Sequence, residues 1–436
     1  MAGKRGVGVT TLNGLGGRVR TARKELGLSQ SQLAGHELTK GFISQLESGL
    51  VRPSIRSLQV IAQRLGKPLD YLLGDAPLAT GKRVAFHRLA AEAAAERRDW
   101  PATRAHSERG LAEVTDQRER AHLLHLLARA EAADRSFERT FQLVEEALGL
   151  IDVTSAPQLV AELLYLRGHA YFEIGQLVAA SEAFEASLDV IERYEVIDPR
   201  LRSRLSVSLG STYRRLKRTS KAINAYESAL ATASRSSELD FAARGYMGIA
   251  VTYYDSGELD AAISNYRRAL ELFQRVSDLE FELSSLQSIA MVQFENGQID
   301  AAKASAERAL QRAIEVGNAR WAAVAEVILA RVALREGRTE DALRMAKHGE
   351  KVLSESADDL QRADALGAIG AAYERLDRHA EADRAYRRSI ELYTSIGDLA
   401  DRSVTAAEYA RVLKARGDID EAFDMLELAR GASAAR

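Results

Sequence analysis

Within seven positions the chain sets out Thr39, Lys40, Phe42 and Gln45. A glutamine carboxamide can pair bidentately with adenine, a lysine ammonium can donate to guanine or phosphate, and a phenyl or methyl group can lie against thymine. Shortly after come Arg52, Ser54 and Arg56, two cations around a hydroxyl. Such a set suits phosphate when a helix N-terminus adds its free amides. Other chemistries lack their residues. Cysteine is absent, which removes disulfides, thiolate metal sites and cysteine nucleophiles. The eight histidines show no metal-ligand spacing, and the glycine-rich "GVGVTTLNGLGG" lacks the Gly-Lys-Ser/Thr ending of a phosphate loop. No metal, no cofactor and no enzymatic activity are therefore expected.

The groups between Gln30 and Arg56 need short helices to present them. Leu15, Val19, Ala22 and Leu26 make one amphipathic helix that Gly27 stops. Ser29 is placed to cap a brief second helix through Gln32, Leu33 and Ala34. After Gly35, Thr39 caps a third from Lys40 to Glu47, with Ile43 and Leu46 inward. Ser54 opens a fourth, burying Leu58, Ile61 and Leu65. Gly66 and Pro68 precede a short fifth helix with Leu69, Leu72 and Leu73. Glu47 reads as a structural hydrogen-bonding group, and Gly41 costs its helix about 1 kcal/mol of propensity.

Five helices in so short a span, the second and third tightly linked, give the geometry of a helix-turn-helix reader. The stretches "LGLSQSQLAG", "FISQLESGLVRPS" and "LQVIAQRLGKPLDYLL" resemble the phage-repressor-like (Xre/Cro-type) helix-turn-helix family. That resemblance implies that Gln30, opening the second helix, touches the DNA backbone, and that Thr39, Lys40, Phe42 and Gln45 read bases. Arg52, Ser54 and Arg56 would then meet phosphate.

Charge divides along the same line. Met1 to Asp75 holds 11 Lys and Arg against 5 Asp and Glu, a net of +6, while the remainder nets −8. A basic head attracts a polyanion and an acidic body discourages indiscriminate sticking. No apolar run approaches the ~20 residues that span a bilayer, so no membrane partner is expected and a cytoplasmic protein is the default. A chain of 436 residues needs more than one core. The expected division is an N-terminal arm (1–14), a DNA-binding head (15–75), a hinge (76–81), connecting helices with an irregular first repeat (82–156), and a repeat array (157–436).

The array keeps a ruler. With the inter-helix turns as origins, Gly175, Lys217, Gly257, Gly297, Gly337, Asp377 and Gly417 are spaced by 42 once and by 40 thereafter. Seven residues before each stands Gly or Ala, and five after each stands Ala. Small residues at both points let two antiparallel helices approach closely. Aromatic residues fill the flanks, as Tyr171 and Tyr213 do four before an origin and Phe184 and Tyr226 do nine after. Such units cannot bury their stripes alone and must stack. "GIAVTYYDSGELDAAISNYRRAL" resembles the tetratricopeptide repeat family in a long-repeat form. The whole chain then reads as all-α, a five-helix head followed by a right-handed α-solenoid of long helix pairs. A degraded earlier unit is expected around Arg135.

In that family the first helix of each pair lines the concave face. Carrying the register across selects His169, Arg204, Arg214, Arg244, Tyr254, Gln287, Arg331 and Arg335 as candidate ligand contacts. Arginine forks suit carboxylate or phosphate, although each arginine could equally cap an Asp or Glu on a neighbouring helix. The combination resembles bacterial regulators that join such a head to such repeats and respond to short peptides. It implies a homodimer on an operator in double-stranded DNA, with a short peptide or small anionic ligand altering head-to-head geometry. The competing expectation is a scaffold that holds a partner protein and uses DNA as an anchor.

Overall fold

The computed structural model describes residues 14–434 apart from 52, 68–70, 73–79 and 237, with backbone alone at 55, 80, 234–236 and 431–434. Among the described residues there is no strand. The chain forms two compact units, Met1–Val196 and Ile197–Arg436.

The first unit opens with α1 (Leu15–Glu25), α2 (Gln30–Ala34), α3 (Lys40–Glu47) and α4 (Ile55–Leu65). The expected caps are in place. Ser29 and Gln32 close a reciprocal capping box, Thr39 accepts from the Phe42 amide at 3.1 Å, and Ser54 from that of Ser57 at 3.1 Å. These side chains satisfy amide groups that a helix start leaves unpaired. The core of this head is Val19, Ala22, Leu33, Ile43, Leu46, Leu58, Ile61 and Leu65, joined by Leu72. Leu69 and Leu73 of the expected fifth helix lie outside the described residues.

Three helix pairs follow in the same unit: α5 (Thr80–Glu96) with α6 (Trp100–Leu111), α7 (Gln117–Ala133) with α8 (Phe137–Leu150), and α9 (Pro157–Glu173) with α10 (Leu177–Arg193). The connecting region is therefore itself paired helices. The turns at Arg98 (φ 58°) and Arg135 (φ 61°) adopt the left-handed conformation without glycine, as Lys217 and Asp377 do among the ruler's origins.

The second unit holds six pairs: α11 (Pro199–Arg215) and α12 (Thr219–Ser236), α13 (Leu239–Asp255) and α14 (Leu259–Val276), α15 (Leu279–Glu295) and α16 (Ile299–Glu315), α17 (Ala319–Arg335) and α18 (Thr339–Glu355), α19 (Asp359–Arg375) and α20 (His379–Ile396), α21 (Leu399–Arg416) and α22 (Ile419–Ala434). Every origin of the ruler has positive φ, from 55° at Asp377 to 96° at Gly417. All seven alanines five residues later are buried, from Ala180 at 0 % to Ala422 at 4 %. The small residue seven before an origin has a more specific cause than close helix approach. A Cβ on Gly168, Gly210 or Gly370 would come within 2.6, 2.6 and 2.8 Å of the ring of Phe184, Tyr226 and Tyr386. At these three positions glycine is matched to an aromatic ring in the same repeat, whereas Ala290 shares a buried cluster with Ala306 and Ala250 one with Tyr266, so the exchange of volume holds in some repeats and not in all. Where it holds, close packing of the interior enforces it. The chain is thus all-α, a helical head followed by repeated pairs of long helices.

Candidate functional site

The head presents α3 by bracing it from behind. Arg23 on α1 forms a two-pronged ion pair with Glu47 at the end of α3, the second contact at 2.9 Å, and both side chains are largely buried. Gln30, the first residue of α2, donates to the same carboxylate at 2.9 Å. Burial alone would raise the Glu47 carboxyl; the bonds from Arg23 and Gln30 outweigh it and hold the group below the usual carboxylate range. One carboxylate thus fixes α1, α2 and α3 together. Arg64 on α4 performs a similar task at the other end of α2, donating to the carbonyl of Leu33 at 2.9 Å and to that of Ala34, and pairing with Glu37. These contacts compensate the helix end that Gly35 terminates.

The outward side of α3 is then fixed. Thr39, Lys40, Gly41 and Gln45 are exposed and Phe42 is half-buried, packed against the core of the head. Ser54 and Arg56, at the start of α4, are also exposed. Gln30 is half-buried, with its amide engaged by Glu47. Arg52 lies outside the described residues. A Cβ on Gly41 would meet nothing nearer than the Thr39 hydroxyl at 4.0 Å, so no packing inside the head calls for glycine there. Glu47 has the structural role expected of it. Arg23 and Arg64 are the supporting residues that local patterning does not single out, because their partners lie 24 to 31 residues away.

The candidates on the repeats have a different setting. Their charges are largely answered within the protein. Arg214 donates to Asp255 at 2.8 Å, Arg244 lies over the Phe281 ring with Asp278 at 3.8 Å, and Arg331 pairs with Asp364. The Tyr254 hydroxyl donates to Glu295 at 2.9 Å, and Arg335 sits over the Phe294 ring at 5.4 Å. Gln287 is buried, and its amide donates to the Trp321 carbonyl at 3.0 Å, so it ties α15 to α17 instead of lining an open face. His169 on α9 and Arg204 on α11 are half-buried; His169 belongs to the first unit and the other seven to the second. Arg214, Arg244 and Arg331 are thus each committed to a carboxylate on a neighbouring helix, and Arg214 and Arg244 to different ones.

These contacts have a period of their own. Arg214 to Asp255, Tyr254 to Glu295, and Arg375 to the Leu334 carbonyl each join residues 41 apart. The rung at Phe294 and Arg335 repeats that offset. In the ruler's register, the residue three before one origin meets the residue two before the next. The second unit is therefore laced repeat to repeat by polar rungs of changing chemistry.

Within the second unit a cavity of about 920 Å³ lies between repeats far apart in sequence. Arg214, Arg215, Lys217 and Asp255 form one side, and Leu360, Ile396, Asp398 and Leu399 the other. Its size falls among ligand pockets of roughly 300–1,000 Å³. Leu360, Ile396 and Leu399 are each about 40 % exposed, an apolar wall opposite a cationic one. Nearby, Asp401 reaches solvent, yet the surrounding protein and then the charges of Asp398 and Asp364 push its carboxyl up to about 6. Among the described residues no three His, Asp or Glu side chains are grouped to hold a metal ion, and no helix is long and apolar enough to cross a membrane.

Comparison with known proteins agrees with this layout. Residues 198–427 match the family of the MalT-like TPR region, 159–235 match the tetratricopeptide repeat, and 19–72 match the helix-turn-helix model. No curated protein matches the chain. The chain is similar to the solved apo form of RapI, with a TM-score of 0.66 at 15 % identity over 80 % of this chain and 97 % of that one. It is also similar to the apo form of the quorum sensor NprR from B. thuringiensis, with a TM-score of 0.59 at 14 % identity over 81 % of this chain and 100 % of the other. A Rap protein complexed with competence and sporulation factor gives 0.57 at 14 % identity, covering 82 % of this chain and 100 % of that protein. At such identities the likeness is one of fold. The chain belongs to the family of the MalT-like TPR region, here joined to an N-terminal helix-turn-helix domain.

Proposed function

We propose that this chain is a sequence-specific DNA-binding transcription regulator whose repeats sense a ligand and, in a dimer, alter the geometry of two heads. The observation that carries the DNA reading is the exposed row Thr39, Lys40 and Gln45 on a helix braced from behind by Glu47. A donor set of that kind, on a rigid element, suits base edges in a major groove, while Ser54 and Arg56 at the α4 N-terminus, with Arg52 shortly before them in the sequence, suit the phosphates. Gln30 would contribute to the backbone contact only by sharing its amide with Glu47.

The cavity of the second unit supports the sensory half. It offers cations, carboxylates and an apolar wall together, which fits a short peptide better than a bare anion. The solved Rap complex holds competence and sporulation factor, and NprR is described as a quorum sensor; both favour a signalling ligand here. A ligand touching both sides would favour one curvature of the unit, by at most its difference in affinity between the two forms. Of the residues chosen from the register, Arg214 faces this cavity.

The test is a titration of a selected operator and of random duplex DNA, at several salt concentrations, with the full chain. The expected result is a preference for the operator of about 1,000-fold or more, together with a change in affinity when the right peptide is added. Equal affinity for all duplexes at about 150 mM salt, or no binding with or without candidate peptides, contradicts the proposal.

A further inference from the structure

Along α22 the side chains of Ile419, Phe423 and Leu426 are 58, 59 and 43 % exposed. Spacings of four and three place them on one stripe of the helix. The adjoining side, with Ala422, Met425 and Ala429, packs into the core formed with α21. The register shows what this stripe is made for. Leu426 stands nine after its origin, the position of Phe184, Tyr226, Tyr266 and Tyr386, which are at most 5 % exposed. Tyr226 is covered by the first helix of the following repeat, where a Cβ on Gly248 would come within 2.2 Å of its ring. At α22 the same position keeps its apolar character, and among the described residues no helix lies on it. An outer helix face of a solenoid that meets only water is expected to be polar; the exposed stripe of α22 is apolar.

We propose that a second copy of this chain covers the stripe, α22 lying antiparallel to its counterpart across a two-fold axis. The charges on the helix select that arrangement. Asp420, Asp424 and Glu427 are exposed toward its start and middle, and Arg430 is exposed toward its end. A parallel pairing stacks carboxylate on carboxylate. An antiparallel pairing with the axis between Phe423 and Leu426 sets each Phe423 on the partner's Leu426. It also brings each Arg430 to the acidic start of the opposite helix, where charge and helix dipoles are complementary. A two-fold interface of this kind is self-complementary, as closed dimers require. The inference deepens the dimeric reading above and rests on it only for the role of two heads, so its test uses no DNA and no ligand.

Sedimentation velocity on the full chain, alone in buffer, reads the proposal directly. The wild type is expected to be a dimer at micromolar concentration. Phe423→Glu, at an exposed position, is expected to weaken the dimer about 100-fold or more while leaving the thermal transition in place. Leu426→Glu gives an independent reading of the same stripe. Arg430→Glu weakens association, and adding Asp420→Arg restores it only if the helices run antiparallel. The chain has no cysteine, so a double variant, Phe423→Cys with Leu426→Cys, which sets position 423 of one copy on position 426 of the other, can be oxidised without competing thiols. It is expected to give a covalent dimer, whereas Glu315→Cys, on exposed surface elsewhere, is not. A wild type that stays monomeric at about 100 μM overturns the proposal, its stripe then being covered by residues 431–436 or by another protein. So does a dimer indifferent to both Phe423→Glu and Leu426→Glu, or equal cross-linking of the double variant and of Glu315→Cys.

Discussion

In the head, the polar side chains on the outer side of α3 face water, while the one buried carboxylate behind them is bonded to two helices. In the second unit, the comparable positions are already paired, Arg214 with Asp255, Arg331 with Asp364 and Tyr254 with Glu295. The difference teaches what each region is built to do. A rigid element with exposed donors is ready for a partner that supplies acceptors. A row of positions laced by its own rungs ties one repeat to the next, and on the proposed reading a ligand would either fit the cavity between distant repeats or trade contacts with the rungs. On the function proposed above, specificity for DNA belongs to the surface of α3, and response to a ligand to the way the repeats are held.

The comparison breaks most visibly at Glu47. Glu47→Ala leaves Arg23 buried without its carboxylate and is expected to cost the head about 3–5 kcal/mol, read as an early transition in chemical denaturation, with DNA binding lost alongside. Replacing the pair together, Arg23→Met with Glu47→Leu, should restore much of that stability; failure to do so would show that Gln30 and the Leu28 carbonyl depend on it too. The sign with pH follows from the depressed Glu47 carboxyl. Its contribution is complete above the ordinary carboxylate range and is lost as acid carries the pH down through the folded value.

In the repeats the corresponding break is Gly210→Ala. The added methyl meets the Tyr226 ring and is expected to cost about 1–3 kcal/mol, measured on the transition of the second unit. Pairing it with Tyr226→Ala should give less than the sum of the two single effects, since the chain itself uses an Ala–Ala pair at 290 and 306. Strict additivity would show that glycine and ring are not matched.

Much of this was legible in the residues. The caps at Ser29, Thr39 and Ser54 fix the helix starts, and each origin of the ruler from Gly175 to Gly417 is a left-handed turn; the left-handed turns between repeats, at Glu195, Ser277, Gly317, Ala357 and Gly397, carry no such mark. What escaped was either distant or disguised. Arg64 caps α2 from 30 residues away, a relation that no local pattern carries. In the connecting region only the degraded unit around Arg135 could be read against the ruler; the turn at Arg98 is left-handed as well, but its flanks do not keep the full register. That an Asp or Glu of a neighbouring helix could engage the candidate arginines was legible, and Arg214, Arg244 and Arg331 are engaged so; which carboxylate meets which arginine depends on contacts between repeats that no local pattern carries.

Smaller effects sharpen the contrast. Lys40→Ala is expected to weaken binding to all duplexes by a similar factor and to lower the slope of log affinity against log salt by about 1 if Lys40 contacts phosphate; an unchanged slope would assign it to a base. At the cavity, the raised Asp401 carboxyl means that the folded unit holds a proton more tightly than the unfolded chain does. Its effect on stability therefore turns unfavourable as pH rises from the ordinary aspartate value toward about 6. Asp401→Asn should flatten that part of the profile, by less than about 1 kcal/mol because solvent screens the site. A profile unchanged by the substitution would remove Asp401 from the account.

The central claim is that α3 reads sequence. Selection from a random duplex library with the full chain, repeated with Gln45→Ala, tests it most directly. The prediction is a symmetric consensus with half-sites about 34 Å apart, one helical turn. In Gln45→Ala one position in each half-site should relax, by about 1–3 kcal/mol of discrimination, while the rest of the consensus stands. Recovery of no consensus by the wild type, or of the same consensus at every position by Gln45→Ala, would contradict the account.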